Sequence, residues 1–431
     1  MRTRLAALTL ALLYGLLLAP LAQAQAPAPV LPAVKPEAVG LSGERLGQLS
    51  TAIKSNIEKG LIPGATLLVA RHGKIAWYEA MGTRDPDTRA PMTKDAIFRI
   101  YSMSKPITSV AVMMLVEEGK IALSDPISKY IPALGGLKVG VEKPGANGPT
   151  LELEPAKREI TIQDLLRHTS GITYGFFGPG LVKKAYVDAK LWDDYPSNAE
   201  FVERLGKLPL LYQPGTTWDY SHSTDVLGRL VEVVSGRTFG EFLTARVFTP
   251  LGMPDTAFYV PDAAKQGRIA EPFPNDRSIG VGAELNDPRV IQKWESGGGG
   301  LVSTTMDYAR FLQMLVNGGS LNGKRLLSPK TVAYMTADHM GGGAAPGPLY
   351  LPGAGFGFGL GFAVRTAAGV SPFPGSVGEY NWGGAAGTYF WVDPKEDLFV
   401  VYMMQSPKQR VGVRALLKDM VYGAVDKAAA R

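Results

Sequence analysis

Ser102 and Lys105 stand three residues apart in Ile100-Tyr101-Ser102-Met103-Ser104-Lys105-Pro106. A serine hydroxyl is a weak nucleophile until a neighbouring base takes its proton, and a lysine one helical turn along lies within reach. Apolar residues at Ile107, Val110, Ala111, Met114 and Leu115 recur with helical spacing and predict a buried helix here. Pro106 confines the start of that helix to its first turn. Ser102 is thus expected at or just before the helix N-terminus, where unpaired amides can hold a developing oxyanion. The positive helix end and burial both favour a neutral, basic lysine. Ser-x-x-Lys alone is a weak signal, because many helices contain one by chance.

A proton relay needs a third group. Trp218-Asp219-Tyr220-Ser221-His222-Ser223 stands directly before a second helical pattern, with the turn residues Pro214-Gly215 ahead of it. A phenol beside a lysine ammonium can have its pKa lowered and serve as a base. Tyr220 equally fits a tyrosine packed under a helix start. His168 and His222 read as readily as hydrogen-bonded structural residues as they do as bases. Asn381-Trp382-Gly383-Gly384-Ala385-Ala386-Gly387 lies between two late strand patterns. Its glycines permit close approach of a ligand or a second backbone, and an amide there can complete an oxyanion hole. A glycine-rich hairpin turn is the plainer reading of the same stretch.

The elements that must hold these residues follow from periodicity. Ser42 caps a helix with Leu46, Leu49, Ile53 and Ile57 on one face, closed by Gly60. Ala65 to Ala70 and Ile75 to Tyr78 predict a hairpin turning at His72-Gly73, with His72 a turn residue. The middle of the chain reads as short helices: Ile162 to Arg167, Asn198 to Gly206, Ser223 to Val234 and Phe239 to Val247. Gly135 to Lys157, rich in glycine and proline, is expected as a surface loop. Thr304 and Asp307 cap a helix closed by Gly318. Strands follow at Phe356 to Arg365, Val377 to Trp382, Thr388 to Val392 and Leu398 to Met404, then a helix over about Val411 to Val425. The expected fold class is α+β. One antiparallel sheet, built from both chain ends and covered by helices, makes an α/β lobe from about 41–123 plus 290–431. A mostly helical lobe covers about 124–289, and a cleft between the two is a favoured place for a site.

The N-terminus predicts an address. Arg2 and Arg4, the apolar run Leu5 to Ala19 and the small-residue site Ala22-Gln23-Ala24 have the form of a secretory signal over 1–24. The run is short for a membrane span, so no stable insertion is expected after cleavage; an uncleaved anchor is the competing reading. Residues 25–40, rich in proline and alanine, read as a linker to the domain at 41–431. A periplasmic or secreted destination follows. With no cysteine, such a fold rests on its core rather than on disulfides. A net charge of +6 over 431 residues, with no basic run, gives nucleic-acid binding no support. Four histidines count against a His-rich metal site, and neither metal nor cofactor is expected.

Together these pieces resemble a family. Ser102-x-x-Lys105, Tyr220-Ser221-His222 and Trp382-Gly383-Gly384 are similar, in order, to the three motifs of the serine β-lactamase and penicillin-binding-protein superfamily. The resemblance is closest to class C β-lactamases and family VIII carboxylesterases, and it runs from about Leu41 to Val425. Leu165 to Gly171 and Gly297 to Ser303 also look like stretches common in that group. The resemblance implies that Ser102 is acylated, that Lys105 and Tyr220 share the proton transfers, and that the amides of Ser102 and Ala385 hold the oxyanion. Trp382 replaces the lysine of the usual Lys-Thr-Gly, and Tyr220-Ser221-His222 replaces Tyr-Ala-Asn. Both departures remove groups that hold a carboxylated β-lactam, and both resemble the esterase branch. The expected function is an exported serine carboxylesterase acting on a small ester or amide. The alternatives are a β-lactamase, a D-alanyl-D-alanine carboxypeptidase or D-aminopeptidase, or a non-catalytic relative that binds cell-wall fragments.

Overall fold

Every residue of Gly64–Arg71 (β1) is buried, because this strand lies in mid-sheet with a helical layer on each face. The computed structural model describes residues 31–280 and 283–426. Alternation along β1 sends Ala65, Leu67 and Val69 to one core and Leu68 and Ala70 to the other. Its hairpin partner is Lys74–Asp85 (β2), joined through His72 and Gly73, both with positive φ. Ala90–Pro91 (β3) closes that edge. The far side comes from the end of the chain: Phe356–Phe358 (β4), Ala363–Arg365 (β5), Tyr380–Gly383 (β6), Tyr389–Asp393 (β7) and Leu398–Met404 (β8). The eight strands run in the order β4-β5-β6-β7-β8-β1-β2-β3. β8 pairs antiparallel with β1, so the two chain ends meet in the centre of the sheet.

Gly43–Glu58 (α1) and Gly412–Gly423 (α2) pack on one face with Trp391, Val400 and Tyr402. Ser42 caps α1 by accepting from the Arg45 N–H. Ser104–Glu117 (α3) and Thr305–Val316 (α4) lie on the other face. Twelve residues of α3, from Ser104 to Leu115, are buried. Such a helix is covered all round, here by the sheet and by Ser223–Ser235 (α5) of the helical middle. Ile162–Leu166 (α6) carries a full capping box from Thr161 and Asp164.

Three expectations are corrected. The excursion at 135–157 is a two-stranded antiparallel hairpin, Lys138–Lys143 with Thr150–Pro155. Val-x-Val and Leu-x-Leu alternation pairs the two arms despite the glycine and proline around them. The stretch Phe356 to Arg365 is two strands, turned through Gly361 at φ 98°. The described part of the proline-rich 25–40 segment is bound to the sheet: Val34 N–H donates to Ile75 O and Ile75 N–H to Pro32 O, both 2.9 Å. Pro36–Val39 forms a 3-10 turn with Val39 buried, so this part is packed rather than a free linker. The signal segment at 1–24 lies outside the described residues.

Candidate active site

Ser102 sits in a 3-10 turn, Tyr101–Met103, that runs straight into α3. Tyr101 holds the left-handed region at φ 42°, a costly conformation for a side-chain-bearing residue. Its hydroxyl is fixed at both ends: it donates to Asn286 Oδ1 at 2.8 Å and accepts from Asn286 N–H at 3.0 Å. Ser104 Oγ accepts from Leu301 N–H at 3.1 Å and ties the helix start to the glycine-rich run at 297–300.

Lys105 is 1 % exposed. Its ammonium donates to Gly298 O at 2.7 Å, Tyr174 Oη at 3.2 Å and Ser102 Oγ at 3.4 Å. It also stands 4.4 Å from the centroid of the Tyr220 ring. Tyr220 follows the short strand Thr217–Trp218, and its carbonyl accepts from Tyr174 N–H. The Tyr220 hydroxyl accepts from Trp382 Nε1 at 3.1 Å. Trp382 belongs to β6 and faces the α3 side of the sheet, with Phe358 and Tyr220 packed around its indole.

The third stretch reaches the serine through its backbone. A Cβ on Gly384 would stand 2.3 Å from Ile100 O, so only glycine lets this turn close on the segment that carries Ser102. Ala385 follows at once, and its N–H has no partner among the described residues. The structure thus brings Ser102, Lys105, Tyr220, Trp382 and Gly384 together from the two ends and the middle of the chain, with Ala385 next in sequence. Neighbouring Gly383 turns to the opposite face, where Arg414 of α2 lies against it, stacked on Tyr389 at 4.9 Å.

Two histidines lie close by without touching Ser102. His168 bonds Ser221 Oγ through Nδ1 at 3.1 Å, and burial, aided by the Lys105 charge, holds its pKa well below the usual value. It is a neutral packing partner for Tyr220. His222 pairs with Asp225 at 2.9 Å. Burial would raise the Asp225 carboxyl, but His222, Ser296 and the Lys105 charge together hold it below its ordinary range. Asp225 also accepts from Gly298 N–H at 3.0 Å and so clamps the peptide whose carbonyl meets Lys105.

Tyr174, Gly298 and Asp225 are the members that motif reading missed. Tyr174 lies three residues past Gly171 and Gly298 falls inside the run at 297–300, so family-like stretches flank two of them. Neither stretch names its contact with Lys105. Among the described residues, no group of three or more His, Asp or Glu side chains gathers as a metal site.

Comparison with known proteins identifies the family. The sequence model of the Beta-lactamase family matches residues 49–420. An uncharacterised protein of Mycobacterium tuberculosis is 37 % identical over 82 % of this chain and 88 % of its own length. The esterase EstB of Burkholderia gladioli is 30 % identical over 90 % of this chain and 98 % of its own. Among solved structures, the hydrolase EstCE1, described as having promiscuous acyltransferase activity, superposes with a TM-score of 0.74 at 27 % identity. That match covers 88 % of this chain and 99 % of the other.

Proposed function

This chain belongs to the beta-lactamase family and is a serine hydrolase, and from that premise we propose that it is an exported carboxylesterase acting on small, uncharged acyl esters. Ser102 Oγ attacks the acyl carbon while the Lys105–Tyr220 pair takes its proton. The carbonyl oxygen becomes an oxyanion between the amides of Ser102 and Ala385. As the ester C–O bond breaks, the pair returns the proton to the departing alcohol. Water then enters, loses a proton to the same pair, and frees the acid from the serine.

The observation that carries the ester reading is the Trp382 indole N–H held on Tyr220 Oη. With that N–H engaged on the phenol, the third motif offers substrate an apolar ring, where a lysine would meet a carboxylate with a charge-assisted bond. Lys183 does not fill that role: it bonds Phe177 O and stands 3.9 Å from Asp219. Missing such a bond weakens binding by roughly ten- to a hundredfold. The test compares kcat/KM for a short p-nitrophenyl ester, a chromogenic cephalosporin and a D-alanyl peptide on one preparation. The ester is expected to lead. Equal or better efficiency on the cephalosporin overturns the esterase reading, and failure of Ser102 to label with a fluorophosphonate overturns the enzyme. Export rests on the basic, apolar and small-residue pattern of 1–24, and N-terminal sequencing of secreted or periplasmic protein checks it: Gln25 is the expected first residue.

A further inference from the structure

Just past β8, two consecutive buried residues reach both sides of the serine. The Ser406 N–H donates to Ala386 O at 2.7 Å, one residue beyond Ala385. Gln405 grips the other side, at Arg99, three residues before Ser102. There Gln405 Nε2 donates to Arg99 O at 3.3 Å, and Gln405 Oε1 accepts from the Arg99 guanidinium at 3.4 Å. The two stretches that carry the proposed oxyanion amides therefore hang on one post. A Cβ on Gly387, itself at φ 107°, would lie 2.7 Å from Met404 Cε and 3.1 Å from Ser406 O, so the Ala385 turn is seated closely on it.

Asp276 fastens that post from a third part of the chain. Its buried carboxyl accepts from Ser406 Oγ at 2.6 Å through Oδ2 and from Lys408 N–H at 3.1 Å through Oδ1. This fork spans the bend from Ser406 into the 3-10 turn Pro407–Gln409 and fixes the aim of Ser406. The segment that brings Asp276 is itself pinned to the strand before the serine. Arg99 donates to Ala270 O at 2.9 Å and to Glu271 Oε2 at 3.0 Å. Among the described residues Asp276 bonds neither Ser102, Lys105 nor Tyr220, so its path to the site runs through Ser406.

We propose that Asp276 is a positioning residue for the oxyanion hole: through Ser406 it sets the spacing between the amides of Ala385 and Ser102. It rests on the acyl-enzyme reading above and concerns a residue outside the three motifs. As Ser102 Oγ bonds to the acyl carbon, the carbonyl pair moves to oxygen, and the new charge needs two donors at a fixed separation. A turn built on Gly383, Gly384 and Gly387 has little stiffness of its own. Two bonds supply it. Gly384 N–H donates to Thr388 O at 2.8 Å, within the hairpin, and Ser406 N–H holds Ala386 O from outside. Of the two, the Ser406 bond ties the turn to the chain that also holds Arg99.

The test is Asp276→Ala in the full chain, with Ser406→Ala and the double variant beside it. Asp276→Ala is expected to lower kcat on a short p-nitrophenyl ester roughly ten- to a hundredfold, with KM within about twofold. A trifluoromethyl ketone reads the same amides without turnover, because the serine adds to its carbonyl carbon and leaves an oxyanion. Its affinity should fall by about the same factor as kcat/KM, while affinity for the product acid stays within about twofold. Ser406→Ala keeps the N–H on Ala386 and loses the hydroxyl, so the double variant should be little worse than Asp276→Ala. Additive losses overturn the route through Ser406. A lowered thermal midpoint with kcat and ketone affinity unchanged also overturns the proposal, since a merely structural carboxyl behaves that way. Asp276→Asn can accept from Lys408 N–H and donate to Ser406 Oγ, so it should recover most of the loss; a variant no better than alanine counts against the fork. Deuterium exchange needs no substrate: the Ser406 amide should exchange roughly tenfold faster in Asp276→Ala. Faster exchange, in a natural protein that hydrolyses no ester, supports the clamp and sinks the esterase reading alone. Equal exchange refutes the clamp.

Discussion

Two lysines are buried against the central sheet, one on each face, and one of them stands beside Ser102, the proposed nucleophile. Lys105 is 1 % exposed and Lys418 is 2 %. Both stand over aromatic rings, Lys105 at 4.4 Å from the Tyr220 centroid and Lys418 at 4.5 Å from that of Trp391. Their oxygen partners differ. Lys105 meets a carbonyl, a phenol and a serine, all neutral. Lys418 is paired directly with the Glu379 carboxylate, which Tyr422 also reaches at 2.9 Å and beside which Arg365 stands at 3.8 Å. Burial pushes the Lys418 pKa down to about 8 despite that partner. The contrast teaches that burial of a lysine does not make a site. The acceptors around Lys105 are neutral and include the hydroxyl of the proposed nucleophile, whereas a carboxylate turns the same side chain into a strut between α2 and the sheet.

Substitutions on the two faces sharpen that contrast, and the largest effect is expected at the proposed nucleophile. Ser102→Ala is expected to lower esterase kcat by about three orders of magnitude or more while the far-UV spectrum and thermal midpoint hold. Activity surviving in the folded variant would place the nucleophile elsewhere. Lys105→Ala and Tyr220→Phe should each cost nearly as much, and the double change little more, because one relay needs both groups. Full additivity in kcat, or most activity kept by Tyr220→Phe, would separate their roles. Trp382→Phe comes next. It keeps the ring wall and removes one donor from Tyr220 Oη, so kcat/KM should fall about tenfold. An unchanged value would make the indole N–H irrelevant to the phenol.

The contrast also explains what sequence reading reaches. Ser102 and Lys105 are legible because their spacing is local and their helix is periodic; Tyr220 and Trp382 to Ala385 are legible as ordered stretches of a family. The Lys105–Tyr174 bond joins residues 69 apart, and no periodicity encodes it. Lys418 with Glu379 is illegible for the same reason: each reads as an ordinary charge until the sheet and α2 close on them. Strands at both ends of the chain predict a sheet closed by its termini, and β8 beside β1 bears this out. The hairpin at 138–155 was hidden because glycine and proline outweigh a short alternation when only composition is weighed. Gly361 divides the stretch from Phe356 to Arg365 because its positive φ turns the chain, which an apolar run does not announce.

The smallest effect on catalysis is expected at Lys418, and there the sign of a pH dependence separates the two lysines most cleanly. Lys418→Met should leave kcat/KM within about twofold, since Lys418 pairs with Glu379 on the face of the sheet opposite Ser102. It should still destabilise the fold, by about 3 kcal/mol, because Glu379 stays buried without its closest cation. In the natural protein the folded-state value of about 8 lies below the ordinary lysine value of 10.5. Between those two values the unfolded chain binds more protons than the native one, so Lys418 makes stability rise with pH through that window. Its burial penalty is fully present below pH 8 and fades above it. Tyr422 acts oppositely from about pH 10 upward: burial, with Glu379 and Asp393, raises its hydroxyl far beyond the phenol range, so ionisation in the unfolded chain takes stability away. Urea midpoints measured from pH 7.5 to 9.5 on both proteins isolate the lysine by difference. The gap between natural protein and Lys418→Met should widen as pH rises across that range. A constant gap would show that Lys418 does not titrate there in the native state, and that its ion pair holds the proton as firmly as water does.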